Sequence, residues 1–393
     1  MARPIAVSLC SGALALDIGL ERAGFQVVLA SEIDRDAVKT IHANRPRLPV
    51  LGDISGLNAA QVRAVARIGN KDIDLVAGGP PCQTYSTAGK RLGLRDPRGG
   101  VLLTFASLAV DLAPKYIVLE NVRGLMFDGA FETVLGIFHD GGYTCSWNLY
   151  DCTYFGVAQR RLRVVVIASR HGRVPHLSAT HSDRRTDGLP RWRTLRDVIG
   201  DMTSIEHHHA NYPAWRRKFF GELKPGQNWR HLRHPERAIT ERVRRATGGK
   251  SEFYRRLSWD KPANTLLTNP CNTLSGCCHP EQDRPLSVQE YQRLQGFPDS
   301  WTICGNLHSR YRQLGNAVPV PLAVALGKTI MRHLRTGNSS EQRPGFRYSN
   351  YRIDNDLDRT AKERDLANAL ARLRRLREKL RIPSTRRRNP EKP

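Results

Sequence analysis

Residues 5–170 alternate between short apolar runs and amphipathic stretches, and this alternation most constrains the fold. The apolar runs at 5–9, 27–30, 75–77, 116–120 and 164–169 are strand candidates. The helix candidates between them are 14–23, 35–44, 59–68 and 102–112. Because each apolar strand is followed by a helix, the pattern predicts a parallel α/β sheet covered on both faces. Ligands bind at the carboxyl ends of strands in such sheets, so functional residues are expected there.

The charge balance indicates a polyanionic partner. The 393 residues include 62 Lys and Arg against 37 Asp and Glu, a net charge of +25. A basic tail on a neutral enzyme would explain part of this, but arginines are also dense between 160 and 256. No apolar run is long enough to cross a bilayer, and the N-terminus lacks the apolar stretch of a signal peptide. We therefore expect a cytoplasmic protein with no membrane partner, whose eight scattered cysteines are free thiols.

The stretch Gly78-Gly79-Pro80-Pro81-Cys82-Gln83 follows the strand candidate at 75–77. Two glycines allow a sharp turn, and two prolines then fix the backbone immediately before a thiol. A stiff backbone in front of a cysteine is typical of a chain that aims it. The alternative is a strand-ending turn with a small buried cysteine.

Three other strand ends predict a nucleoside site. The first strand runs into the turn Ser11-Gly12-Ala13, which can place a ligand near a helix N-terminus. Glu32 follows the second strand, where an acidic residue commonly binds ribose hydroxyls. Asp53 and Ile54 follow, suited to the amine and the ring face of an adenine. Nothing accommodates a pyrophosphate, so a dinucleotide is not indicated.

Two further segments bring acid and base groups to the same edge. Glu120 ends the interior run 116–119, where burial would raise its pKa and keep it able to donate a proton. Arg161 and Arg163 precede the strand at 164–169, and strand alternation places them on one side. Two guanidiniums there suit a base carbonyl and a phosphate. Each group could instead be a solvated charge at a strand end.

From 171 to 282 the pattern changes to arginines interleaved with aromatic residues, which is typical of nucleic-acid contacts. Cys271, Cys277, Cys278 and His279 invite a zinc interpretation. Their spacing matches no standard four-ligand site, so free thiols and no metal are predicted. Helix patterns return at 288–295 and 322–334, and the segment 312–319 is predicted to start the second helix. A basic helix with a leucine stripe is expected near 360–380, followed by a disordered basic tail.

The ordered set of motifs resembles one family, the DNA (cytosine-5) methyltransferases that use S-adenosylmethionine. The resemblance covers about residues 5–334. It rests on these segments in order: Ser11-Gly12-Ala13 with Asp17 and Gly19, Glu32, Asp53, Gly78 to Gln83, Glu120-Asn121-Val122, Gln159 to Arg163, Arg284-Pro285-Leu286-Ser287, and Gln313 to Pro319.

The resemblance implies an α/β class I S-adenosylmethionine-dependent methyltransferase, with a Rossmann-like, mostly parallel sheet and a smaller target-recognition domain. The expected divisions are a large domain at 1–175, a recognition domain at 176–310, a return segment at 311–335, and a basic extension at 336–393. Duplex DNA would lie between the two domains. The enzyme is expected to act as a monomer on DNA, with a possible cognate restriction endonuclease acting separately.

The implied site residues fall into three groups. The catalytic residues are Cys82, Glu120, Arg161 and Arg163. The residues expected to bind S-adenosylmethionine are Leu9, Ser11, Gly12, Ala13, Glu32, Ile33, Asp53, Ile54, Gly79, Pro81, Asn316 and Val318. The residues expected to bind DNA are Gln83, Ser86, Arg98, Arg255, Arg256 and Asn269.

Each catalytic residue has an expected role. Carbon 5 of cytosine is a poor nucleophile until a thiolate adds at carbon 6, and Cys82 would supply that thiolate. Glu120 would protonate N3, and Arg163 would withdraw charge at the ring carbonyl. Arg161 would support Cys82 or a phosphate. The target base must first be flipped out of the duplex.

This chain departs from the family pattern in the first motif. Cys10 stands where an aromatic residue is usual, and Leu14-Ala15 stand where glycines are usual. These residues predict a tighter cofactor pocket.

Two alternatives remain at this stage. One is a tRNA cytosine-5 methyltransferase of the same fold, disfavoured by the long variable region and by Cys271-Asn272-Thr273 in place of Cys-Phe-Thr. The other is a catalytically weak DNA-binding regulator. The DNA sequence recognised does not follow from these residues.

Overall fold

The structure is a computed structural model that describes residues 2–81, 100–202, 206–238, 253–272 and 277–337. Residues 1–344 form one compact unit, and a second unit spans 345–393. The expected helix near 360–380 and the basic tail lie outside the described residues. So do Cys82, Gln83, Ser86 and Arg98.

The described residues form one sheet of seven strands in the order β3-β2-β1-β4-β5-β7-β6. The strands are β1 Ile5–Leu9, β2 Gln26–Ser31, β3 Val50–Leu51, β4 Leu75–Gly78, β5 Tyr116–Val122, β6 Thr144–Asp151 and β7 Leu162–Ser169. Strands β1 to β5 are parallel to their neighbours, whereas β7 is antiparallel to both β5 and β6. The five predicted strands are confirmed, and β3 and β6 are additions.

Helices follow the strands as the alternation predicts. They are α1 Ala15–Ala23, α2 Arg35–Asn44, α3 Ala59–Val65, α4 Gly100–Asp111, α5 Gly129–Asp140, α6 Leu195–Ile199, α7 Ala214–Gly221, α8 Pro235–Ala238, α9 Val288–Leu294, α10 Leu307–Asn316 and α11 Val320–Thr336. The short strands β8 Arg255–Arg256 and β9 Cys277–Cys278 pair in parallel. The helix predicted at 322–334 is confirmed as α11. The segment 312–319 was predicted to lead into that helix; it instead contains the end of α10 and reaches α11 after Pro319.

The antiparallel direction of β7 determines where the two arginines lie. Because β7 runs against β5, its first residues lie beside the carboxyl end of β5, and Val122 pairs with Arg163. In a wholly parallel sheet the start of β7 would lie at the opposite edge. The reversal therefore brings the arginine-bearing end of β7 to the carboxyl edge of the parallel strands.

Helix α11 packs directly on α1 through small residues. A Cβ added at Gly19 would lie 2.3 Å from Cβ of Ala323, so only glycine allows this approach. The stretch 307–336 is apolar enough in length and composition to pass as a membrane span, but 78% of its most apolar window is buried inside the protein. The stretch 307–336 is therefore part of the protein core.

Three apolar clusters hold the described residues together. The largest fills the sheet and its helices. A second combines residues of α1 and α2 with residues from 195–202 and 286–320, so the two expected domains share a core. A third lies between residues 212 and 278: Tyr212, Phe220, Leu223, Leu232, Phe253, Tyr254 and Cys278. The boundaries at 176 and 310 stay a prediction.

Candidate active site

The carboxyl ends of β1, β4 and β5 lie side by side and carry the predicted site residues. Gly78 pairs with Leu9 on one side and with Leu119 on the other. The next residues along the chain, Gly79 and Glu120, are therefore neighbours at this edge. Pro81, the last described residue before Cys82, is exposed there.

The two glycines are required by close approach rather than by an unusual turn. Neither Gly78 nor Gly79 has a positive φ. A Cβ added at Gly78 would lie 2.2 Å from the Leu9 carbonyl oxygen and 2.6 Å from the Phe105 ring. A Cβ added at Gly79 would lie 3.1 Å from Oε2 of Glu120. Gly78 thus serves sheet packing, and Gly79 leaves room for the carboxyl of Glu120.

Replacing these glycines should separate the two effects. We expect Gly79→Ala to lower kcat about tenfold, because its Cβ displaces the Glu120 carboxyl by a few tenths of an ångström. The variant should melt close to the wild-type temperature. Gly78→Ala should instead unfold at a clearly lower temperature, because its Cβ meets backbone. Steady-state methylation and thermal unfolding measure the two; an unaltered kcat for Gly79→Ala would contradict this account.

Glu120 and Arg163 form a buried ion pair at this edge. Nε of Arg163 lies 2.7 Å from Oε1 of Glu120, and their side chains are 11% and 7% exposed. The contact is an ion pair rather than a hydrogen bond of ordinary geometry. Burial raises the pKa of Glu120, and the charges of Arg163 and Arg161 offset only part of that rise. Glu120 is therefore suited to holding a proton.

Asn121 connects β5 to the proline pair. Its Nδ2 donates to the Pro80 carbonyl at 3.2 Å, and its Oδ1 accepts from the Val122 N–H at 2.9 Å. Asn121 is 3% exposed, so this contact is shielded from water. The backbone just before Cys82 is thereby tied to the strand that carries Glu120.

Arg161 is fully engaged with backbone carbonyls. It is 1% exposed and donates to the carbonyl oxygens of Leu266, Gly315 and Ala317 at 3.2, 2.7 and 3.1 Å. This burial leaves no surface for a phosphate, so that expected role is wrong. Support of Cys82 stays a prediction. The observed role is to join three segments: the start of β7, the segment around Leu266, and the link between α10 and α11.

Glu32 closes the turn after β1. Its two carboxylate oxygens accept from the N–H groups of Gly12 at 2.7 Å and Asp34 at 2.8 Å. Burial raises its pKa, and these hydrogen bonds offset part of the rise. Gly12 has a φ of +55° with open space around its Cβ position. The turn and the acid therefore face one another, as the sequence predicts.

The unusual residues of the first motif adopt a left-handed backbone. Cys10 has a φ of 54° and Leu14 a φ of 66°, a region that costs an L-residue about 1–2 kcal/mol. Leu14 is 2% exposed and belongs to the apolar cluster of α1. The Leu14 side chain therefore packs in the core. The tighter cofactor pocket expected from this residue stays a prediction.

Asp17 is a buried carboxyl to which the sequence assigned no role. It is 2% exposed, and neither side-chain oxygen accepts a well-formed hydrogen bond among the described residues. Burial raises its pKa to about 7, although the Ser8 hydroxyl and Arg45 act in the opposite direction. The burial of Asp17 could not be predicted from the sequence, because it depends on which face of α1 packs inside the folded protein.

The remaining cofactor residues divide by exposure. Ile54 is 2% exposed and packs in the sheet core, so its side chain cannot cover an adenine ring as expected. Ile33, in contrast, is 70% exposed beside Glu32. Three of the expected cofactor residues are buried and would contact the cofactor mainly through backbone atoms: Leu9, Ala13 and Val318. Ser11 is half-buried, and Asp53 and Asn316 are exposed.

The expected DNA contacts are only partly available. Arg256 is 4% exposed and donates to the carbonyls of Phe220 and His279 and to the carboxylate of Asp283. Its assignment to DNA is therefore wrong, because its guanidinium is used inside the protein. Arg255 is half-buried and Asn269 is exposed, so both stay predictions. Among the described residues no group of three His, Cys, Asp or Glu side chains is arranged to hold a metal ion.

Comparisons with known proteins agree on one family. A family model described as C-5 cytosine-specific DNA methylase matches residues 6–332. The Type II methyltransferase M.Eco47II of Escherichia coli is 36% identical over 338 residues, covering 83% of this chain and 78% of that protein. The Type II methyltransferase M.Sau96I of Staphylococcus aureus is 36% identical over 336 residues, covering 84% and 76%.

A solved structure shows the same fold. The methyltransferase EhMeth of Entamoeba histolytica is 15% identical and superposes with a TM-score of 0.60, covering 85% of this chain and 99% of that chain. The fold class predicted from the sequence, a mostly parallel α/β methyltransferase sheet, is confirmed.

Proposed function

The chain belongs to the C-5 cytosine-specific DNA methylase family, and we propose that it methylates one cytosine of a short duplex sequence through a covalent Cys82 adduct. The observation that carries the proposal is the Glu120–Arg163 pair, buried at the strand edge beside the segment that leads into Cys82. The names of the relatives support a role as the modification enzyme of a restriction-modification system.

The turn after β1 fits S-adenosylmethionine. Gly12 has open space where a side chain would stand, and Glu32 holds a half-buried carboxylate beside it. Glu32 would bind the ribose hydroxyls, Asp53 the adenine amine, and the exposed Ile33 the ring face. When bound, S-adenosylmethionine supplies an electrophilic methyl group.

Cys82 and Glu120 would activate the cytosine. The Cys82 thiolate forms a bond to carbon 6, and the displaced electron pair moves into the ring. Glu120, whose pKa is raised by burial, protonates N3 as that charge develops. Carbon 5 is then nucleophilic. After carbon 5 has taken the methyl group, its proton is lost to solvent and the carbon 6–sulfur bond breaks to release the Cys82 thiolate. N3 returns its proton to Glu120, which restores the neutral aromatic ring.

Arg163 would act on the ring carbonyl. Its Nε is held by Glu120, and one terminal nitrogen donates to the Leu162 carbonyl at 2.8 Å. The guanidinium is thereby fixed in orientation at the edge of the sheet. A fixed cation near a carbonyl oxygen stabilises negative charge that develops there.

Glu120→Gln should lower kcat about a hundredfold, since an amide can hydrogen-bond N3 but cannot protonate it. The wild-type rate should fall as the pH rises through the raised pKa of Glu120, because the neutral acid is lost; the variant should lack this limb. Burial of the neutral acid also stabilises the fold below the ordinary carboxyl pKa, and this contribution disappears as the pH rises through the folded-state pKa.

The matched control is Glu132→Gln, an exposed carboxyl on α5, the helix that follows β5. Its pH profile should equal that of the wild type. A Glu120→Gln enzyme that kept the wild-type profile would contradict the assignment of the acid.

The substrate and setting follow from the same proposal. Duplex DNA is the substrate class of the family, and the high positive charge suits it. The protein would act as a monomer on DNA in the cytoplasm, with any cognate endonuclease separate. Labelled methyl groups from S-adenosylmethionine should enter duplex DNA and not tRNA. Labelling of tRNA alone, or of neither, would contradict the proposal.

A further inference from the structure

Helix α7 presents two cations to solvent beside a polar pocket of about 570 Å³. Arg217 and Lys218 are both exposed and both line the pocket. Trp215, 54% exposed, lies three residues before Lys218 on the same helix. His209, Asn211 and Gln282 add polar groups to the wall. The pocket thus combines positive charge with hydrogen-bonding groups.

The other charges at this pocket are already paired. Arg284 makes two hydrogen bonds of 2.8 Å to the carboxylate of Glu290. Asp283 is bonded by Arg256. Within the described part of the chain, neither Arg217 nor Lys218 has a carboxylate within 4 Å. Among the described residues that line the pocket, these two cations leave a net positive charge.

A buried arginine fixes the position of α7. Arg216 is 2% exposed, and its guanidinium lies 4.8 Å from the Tyr212 ring and 5.4 Å from the Tyr254 ring. It donates to the carbonyls of Cys271 and Asn272 at 2.6 and 3.0 Å. The helix is held from its buried side, so Arg217 and Lys218 face outward from a rigid support.

The same contacts limit the distance from α7 to the catalytic edge. Arg161 binds the carbonyl of Leu266, and Arg216 binds the carbonyl of Cys271. Cys271 is five positions after Leu266, so the backbone between these two anchors spans at most about 18 Å. Successive phosphates of one DNA strand are about 3.4 Å apart along the axis, so the span corresponds to roughly five base pairs. The anchor of α7 and the anchor of Arg161 therefore lie within the length of a short duplex.

We infer that Arg217 and Lys218 bind backbone phosphates of the substrate duplex near the target cytosine. The inference rests on the proposed function, because it takes the DNA to be bound at the edge that carries Glu120. Phosphate contacts fix register without reading sequence, so α7 would position the duplex while other residues identify it. The arginines buried next to it, Arg216 and Arg256, serve the protein's own architecture.

The test compares Arg217→Gln/Lys218→Gln with wild type on a duplex containing the methylated sequence. Loss of two phosphate contacts should reduce the slope of log affinity against log salt by about 1.8 and weaken binding roughly tenfold or more. The preference for the cognate sequence over a scrambled duplex should be unchanged. Lys328→Gln/Arg332→Gln is the matched control, since it removes two exposed cations four residues apart on α11. The variant Arg217→Lys/Lys218→Arg, which keeps both charges, should restore the wild-type slope.

Two results would overturn the inference. The first is a salt slope for the double Gln variant equal to those of wild type and control; if wild type still methylates DNA, the proposed function stands and only the inference fails. The second is wild-type protein that neither binds nor methylates any duplex, which removes both. Thermal unfolding and S-adenosylmethionine binding, unchanged in the double variant, verify that it is folded.

Discussion

Cys82→Ser should reduce methyl transfer to duplex DNA by at least roughly a thousandfold, because the hydroxyl of serine is rarely ionised near neutral pH. Addition at carbon 6 needs a thiolate, and without it carbon 5 stays unreactive. The residues that precede Cys82 are fixed by close packing of Gly78 and by the Asn121 contact to Pro80. Binding of S-adenosylmethionine and the unfolding temperature should be unchanged.

Cys145→Ser is the control for this experiment. Cys145 pairs with Ala168 near the end of β7, at the edge of the sheet opposite the site. Burial raises the pKa of its thiol to about 11, so it is not a thiolate at neutral pH. Its serine variant should methylate DNA at the wild-type rate. A Cys82→Ser enzyme as active as this control would contradict the assigned nucleophile.

Arg161→Met should destabilise the protein by about 4 kcal/mol, although Arg161 lies at the catalytic edge. Methionine fills most of the volume of the arginine stem, but it leaves the carbonyls of Leu266, Gly315 and Ala317 without their donor. Those carbonyls belong to segments that pack tightly: a Cβ added at Gly315 would lie 2.6 Å from the Thr268 nitrogen. We expect a large loss of unfolding free energy in denaturant and, with it, weaker DNA binding.

Arg160→Met serves as its control because Arg160 is exposed, with its guanidinium over the Trp192 ring. Its unfolding free energy should change by less than about 1 kcal/mol. Equal stability of the Arg161 and Arg160 variants would show that the three carbonyl contacts do not hold the segments together. A stable but inactive Arg161→Met enzyme would instead favour a direct role at Cys82.

The parallel strands were predictable because each is a short, nearly continuous apolar run that must be buried on both faces. Strand β6, Thr144–Asp151, was missed since polar and apolar residues mix along it at the end of the sheet. The antiparallel direction of β7 was also beyond local pattern, because direction depends on the path between strands. That direction is what places Arg163 beside Glu120.

Charge was the hardest property to interpret from the sequence. Arg161, Arg216 and Arg256 appear in basic clusters that are typical of DNA contacts, yet all three are buried. Each donates to backbone carbonyls of the protein, a role that no local pattern distinguishes from phosphate binding. Lys218, from the same cluster as Arg216, is exposed. Arg216 and Lys218 differ in exposure because they lie on different faces of α7. Which face is buried is known only from the packing of the helix in the structure.

The sequence analysis identified Gly78 and Gly79 as required residues, but the reason it gave for them was incorrect. The sequence indicated a sharp turn at Gly78 and Gly79, whereas the structure shows ordinary φ values and close contacts. Contacts with Leu9 and Glu120 come from strands far along the chain, so a local interpretation could not include them. Both reasons direct the same segment toward the edge of the sheet, and the role of Cys82 stays a prediction.

The most direct test of the central claim is bisulfite sequencing of duplex DNA treated with the purified protein and S-adenosylmethionine. Methylation at carbon 5 protects a cytosine from deamination. The account predicts one short sequence, repeated along the DNA, in which a single cytosine resists conversion with wild-type protein and converts fully with Cys82→Ser. Complete conversion of every cytosine by a folded, cofactor-binding wild-type protein would contradict it.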